Sequence, residues 1–166
     1  MAYEEHYKIT DDIISHLNPV IKTIDDGFIS SRYVGLVATA AITSYELAIK
    51  SIFISFAAKK HDILKVFAES YFKKLNGRIR IDELKENIKR FGKKYVDEFD
   101  KKIINAENNS ITGKKGSIKE SYDNIIGWRH KFVHEGEIPQ TATYEETVRA
   151  YEIGKQLIKC LEEVMK

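Results

Sequence analysis

Between Trp128 and Gly136 the chain reads Trp-Arg-His-Lys-Phe-Val-His-Glu-Gly, and two of its five histidines fall here. Histidine titrates near neutral pH, so it can carry a proton to or from a ribose hydroxyl or a leaving oxygen. Arginine offers a planar, permanently charged fork for phosphate oxygens as negative charge builds on them. Arg129, His130 and His134 together therefore suffice for attack of an RNA 2′-hydroxyl on its own phosphate, with no metal ion required. Two other readings of the same residues stay open. His130 and His134 are i,i+4 neighbours on a helix and could present two imidazoles to zinc, with Glu135 or Glu137 as a third ligand. Lys131 between them would repel that cation. Alternatively, His134 sits where a helix C-terminus favours a positive charge, and Arg129 could simply pair with Glu46.

The elements that position these residues read as helices. Ser117-Ile118-Lys119-Glu120 has the form of a capping box and starts the helix that leads into the motif, and Gly136 stops it. At 100° per residue, Ile118, Tyr122, Ile125, Phe132 and Val133 share one apolar face, and Arg129 falls in its middle. An arginine in an apolar stripe is costly unless it meets a partner. Thr143-Tyr144-Glu145-Glu146 is a second capping box and opens a final helix carrying Val148, Tyr151, Leu157, Leu161 and Val164. The short link Glu135–Ala142 makes these two helices an antiparallel pair.

Upstream, Ile9, Ile13, Leu17 and Val20 predict one face of an amphipathic helix over residues 3–26, with Pro19 able to bend or divide it. Asp25-Asp26-Gly27 reads as a stop. From Val34 to Ala58 the chain is apolar almost all round, interrupted only by Glu46 and Lys50. That length raises a membrane span, but charge at its middle and its many Ala, Ser and Thr residues favour a buried central helix. Glu46 then becomes a carboxylate on a mostly buried helix and needs a partner. His61–Lys74, Asp82–Phe91 and Lys93–Ile104 predict further helices, with a turn at Asn76-Gly77 and a polar loop at Asn105–Gly116. Residues 59–119 hold 17 Lys/Arg against 9 Asp/Glu, whereas the remainder holds 10 against 16. That basic middle is a surface able to meet phosphates, or else ordinary solvated helix faces.

With 166 residues, 43% hydrophobic and 31% charged, the chain reads as one all-α domain over 1–166. A single cysteine, Cys160, excludes an internal disulfide, and the acidic, weakly apolar first residues carry no signal peptide, so the expected location is cytoplasmic.

Arg129-His130-Lys131-Phe132-Val133-His134 resembles the R-x4-H motif of the HEPN superfamily of helical ribonucleases, and the order of helices is similar to its RiboL-PSP-like group. The resemblance implies an all-α HEPN-like bundle with a long buried central helix and an antiparallel C-terminal pair. It also implies a metal-independent endoribonuclease of defence or toxin type that uses no cofactor and leaves a 2′,3′-cyclic phosphate. Arg129 and His134 would be the catalytic pair, His130 the polar helper, and Glu46 a supporting acid matched by location. The implied partners are RNA, a second copy completing a composite site, and an antitoxin or defence-system protein, with no membrane. Gly136 stands where the subgroup paired with nucleotidyltransferase antitoxins often has tyrosine, which counts against that partner. Other members of the superfamily bind RNA or dimerise without cleavage, which is the alternative reading.

Overall fold

A computed structural model describes residues 2–166 apart from 74, 76 and 141, and only the backbone of Phe28. A 3₁₀ segment, Ala2–Tyr7, runs into α1 (Lys8–Ile21). The remaining helices are α2 (Gly27–Lys60), α3 (Asp62–Phe72), α4 (Ile81–Lys89), α5 (Lys93–Thr112), α6 (Ile118–His130) and α7 (Tyr144–Val164). A π-helical turn, Lys131–Glu135, continues α6 directly. No strand occurs among the described residues. The fold is all-α, as the sequence pattern predicts.

The long helix α2 is the centre of the bundle. Val34, Val37, Ala41, Tyr45, Ile49 and Phe53 are fully buried along it, and α1, α3, α6 and α7 all pack on it. Among the described residues it is the one helix long and apolar enough to cross a membrane, yet 56% of its most apolar window is buried inside the protein. Its partners are held by stacked tyrosines. Tyr45 of α2 lies 5.3 Å from Tyr122 of α6 and 5.7 Å from Tyr151 of α7, ring to ring. Each such pair adds roughly 1 kcal/mol beyond the area it buries. The Tyr45 hydroxyl donates to the Tyr151 carbonyl at 2.7 Å, in the space that Gly154 leaves by having no side chain.

Three expectations need correction. The buried face of the first helix is Thr10, Ile14, Leu17 and Ile21, preceded by Tyr3 and Tyr7, while Ile9 and Val20 face solvent. Thr10 belongs inside because its hydroxyl meets that of Ser44 at 2.7 Å. Pro19 lies in the last turn of α1 and does not divide it. On α3, Phe72 is buried, followed by Leu75, but Ile63 and Phe67 are 75% and 64% exposed. The Asn76 half of the expected turn lies outside the described residues, and Gly77 takes a left-handed φ of 79°. Finally, Asn105–Thr112 is helix rather than loop, because Glu107 is tied into the start of α6 and Ser110 donates to the Gly116 carbonyl.

Candidate functional site

The motif helix is anchored at both ends. At its start, Ser117 Oγ accepts from Glu120 N at 3.0 Å, which is half of the expected capping box. The carboxylate that completes the cap is not Glu120. It is Glu107 of α5, which accepts from Ser117 Oγ, from Ile118 N at 2.8 Å and from Lys119 N at 3.2 Å. A carboxylate at a helix N-terminus also meets the positive end of the helix dipole. Along α6, Ile118, Tyr122 and Ile125 are buried as the wheel predicts, and Tyr122 donates to the Ile79 carbonyl at 2.8 Å. At its end, Gly136 adopts φ 68°, a left-handed cap, and both Gly136 N and Glu137 N donate to the Lys131 carbonyl.

The π-turn decides the geometry of the motif. In an ideal α-helix, residues five apart point about 140° away from one another. A π-turn bonds each donor one residue further back, which widens the coil and carries such a pair toward the same side. Accordingly, Arg129 Nη1 lies 2.8 Å from His134 Nε2. Guanidinium can only donate, so Nε2 is the acceptor, and the neutral His134 ring carries its proton on Nδ1. The rings of His130 and His134 are 5.1 Å apart, and His130 Nε2 lies 3.5 Å from Glu135 Oε1. Three of the predicted residues, Arg129, His130 and His134, are therefore adjacent.

Arg129 is half-buried rather than sealed in the packing face, and its guanidinium reaches the exposed His134. Glu46 is half-buried too. It does not hold Arg129 in a direct ion pair. Instead, the two side chains converge on Gly77, where a Cβ would lie 3.6 Å from Glu46 Oε1 and 3.9 Å from Arg129 Nη1. The wheel also misplaces Val133, which is 46% exposed. Phe132 supplies the anchor instead, its ring lying directly on Gly35 of α2. Gly35 and Gly77 are the site residues that the pattern of His and Arg does not reveal. An isolated glycine inside so long a helix is the available signal for the first.

Among the described residues, no group of three His, Cys, Asp or Glu side chains converges on one point where a metal ion could sit. A cavity of about 650 Å³ lies elsewhere, between α5, α7 and the start of α6, and includes Ser110, Arg149 and Gln156.

No curated protein and no solved structure matches the chain. The family model of RiboL-PSP-HEPN matches residues 4–166. With nearly the whole length matched, the chain belongs to the RiboL-PSP-HEPN family.

Proposed function

We propose that this protein is an endoribonuclease whose Arg129 and His134 cleave RNA without a metal ion, and that it acts as a homodimer. The carrying observation is the 2.8 Å contact between Arg129 Nη1 and His134 Nε2 on a half-exposed π-turn. The pair is poised for exchange. When an RNA phosphate arrives, Arg129 donates to its oxygens, and Nε2 is released as a base. His134 then removes the 2′-hydroxyl proton as the 2′-oxygen bonds to phosphorus. The bond from phosphorus to the 5′-oxygen breaks, and that oxygen takes a proton from an acid such as His130. Strengthening Arg129–phosphate interaction as charge accumulates is the differential binding that accelerates such a step. Glu46, close to Gly77 and Arg129, would orient the guanidinium.

The dimer is supported by apolar surface beside the motif. Leu36 and Val133, the chain neighbours of the Gly35–Phe132 contact, are 42% and 46% exposed, and Ile29 one stretch earlier on α2 is 43% exposed. A second copy covering this face would bring its own motif opposite the first.

The test is incubation of the protein with RNA in excess chelator, beside Arg129→Ala and His134→Ala. The expected result is cleavage by the parent and a loss of about a thousandfold in each variant. Parent that cuts no RNA would instead favour a binding module, and cleavage abolished by chelator would restore the metal reading.

A further inference from the structure

We infer that Arg78 holds the RNA phosphate next to the one that Arg129 engages, making the Gly77–Arg80 loop the second wall of the substrate site. This rests on the ribonuclease reading above and extends it to residues outside the motif. A Cβ at Gly77 would lie within 4 Å of both Glu46 and Arg129, so the loop borders the site. Its backbone is fixed at four successive points. Arg78 N donates to the Leu75 carbonyl and Ile79 N to the Gly77 carbonyl, both at 2.9 Å. Ile79 is fully buried, and its carbonyl accepts from Tyr122 of the motif helix at 2.8 Å. Arg80 N donates to Glu83 Oε2 at 3.0 Å.

The inward turn of Ile79 leaves Arg78 and Arg80 both exposed on either side of it. Their surroundings differ. Arg80 is close enough to Asp123 of α6 to act on its ionisation, opposing the effect of burial there. Arg78 has no hydrogen bond or ion pair from its guanidinium among the described residues. A permanent charge on an immobilised loop, one peptide (about 3.8 Å) from the glycine whose missing side chain leaves room beside Arg129, is suited to meet an anion. The anion that arrives with a scissile phosphate is the next phosphate of the same strand.

The experiment measures binding of a short fluorescein-labelled single-stranded RNA of mixed sequence over a range of salt, using His134→Ala protein so that the probe stays intact. Adding Arg78→Ala should weaken binding about fivefold to tenfold and lower the slope of log affinity against log salt by about 0.7, one phosphate contact on a single strand. Arg78→Lys should fall between, keeping the charge and losing the fork. In otherwise wild-type protein, Arg78→Ala should lower kcat/KM by the same factor through KM, with an unchanged melting temperature. Unchanged affinity and slope in RNA-binding protein would overturn this inference alone. So would an equal loss from Lys93→Ala, an exposed cation on α5, because the effect would then belong to the general basic field. Parent that neither binds nor cleaves RNA would overturn the ribonuclease reading and this inference together.

Discussion

Gly35→Ala tests how the motif is held. A Cβ at Gly35 would fall 2.7 Å from Phe132 Cε2 and closer still to two other ring atoms. Carbon atoms settle at about 3.5–4.0 Å, so the ring must retreat by roughly 1.5 Å. Two effects then oppose each other in stability. Alanine gains about 1 kcal/mol over glycine in a helix interior, while overpacking costs about 1–3 kcal/mol. The net loss is about 0–2 kcal/mol, a fall in Tm of roughly 0–8 °C for a chain of this size. Activity has no such compensation. Phe132 lies between Arg129 and His134 on the same turn, and a displacement of about 1 Å in a catalytic group can cost about a hundredfold in rate. Thermal melts followed by circular dichroism, beside RNA cleavage on denaturing gels, should therefore show a nearly intact fold with a disabled enzyme. Adding Phe132→Leu, which trims the ring, should restore part of the activity, so the double variant is better than the sum of its parts. Gly35→Ala with full cleavage would refute the argument that this contact sets the motif, as would strictly additive losses in the pair.

Other consequences follow from the same packing. Burial raises the pKa of Tyr3 to about 12 and pushes those of Tyr7, Tyr45, Tyr122 and Tyr151 well above the usual tyrosine value. The unfolded chain releases these protons near pH 10 and the folded one only above it, so stability is full below about pH 10 and falls as pH rises past it. Tyrosinate absorbance and loss of helicity should then appear in one cooperative step, and gradual ionisation with the helix signal intact would contradict this. Glu107→Ala removes three bonds from the start of the motif helix and should lower stability by about 2 kcal/mol, or Tm by roughly 4–8 °C, by calorimetry. Leu36→Asp should convert a dimer to a monomer by light scattering at micromolar concentration while leaving the melt near that of the parent. A monomeric parent would count against the shared site.

Much of this architecture is legible in the residues. The 3–4 spacing along α6 and α7, the Thr143–Glu146 capping box and the apolar length of α2 all predict elements that the structure contains. The errors have physical causes. On α1 the aliphatic Ile9 and Val20 suggest a face one residue away from the real one, because Tyr3, Tyr7 and Thr10 enter the core through hydroxyl and ring contacts that hydrophobicity alone does not weigh. The polar stretch after Asn105 has loop composition, yet it stays helical through a tie between Glu107 and residues ten or more positions away. Within the site, Arg129 and the histidines are visible by type. Their alignment is not, because a wheel at 100° per residue assumes an α-helix throughout and the motif ends in a π-turn. Likewise, the approach of Gly77 to Arg129 depends on how α3 folds back along α2.

The most direct test of Arg129 and His134 as a ribonuclease pair is the mass of the RNA ends that the protein produces. Attack by the 2′-hydroxyl requires a 2′,3′-cyclic phosphate on the upstream fragment and a 5′-hydroxyl on the downstream one. That pair of ends, produced with chelator present, is the predicted result. A free 3′-hydroxyl with a 5′-phosphate would mean that water attacked the phosphorus, and it would contradict the mechanism.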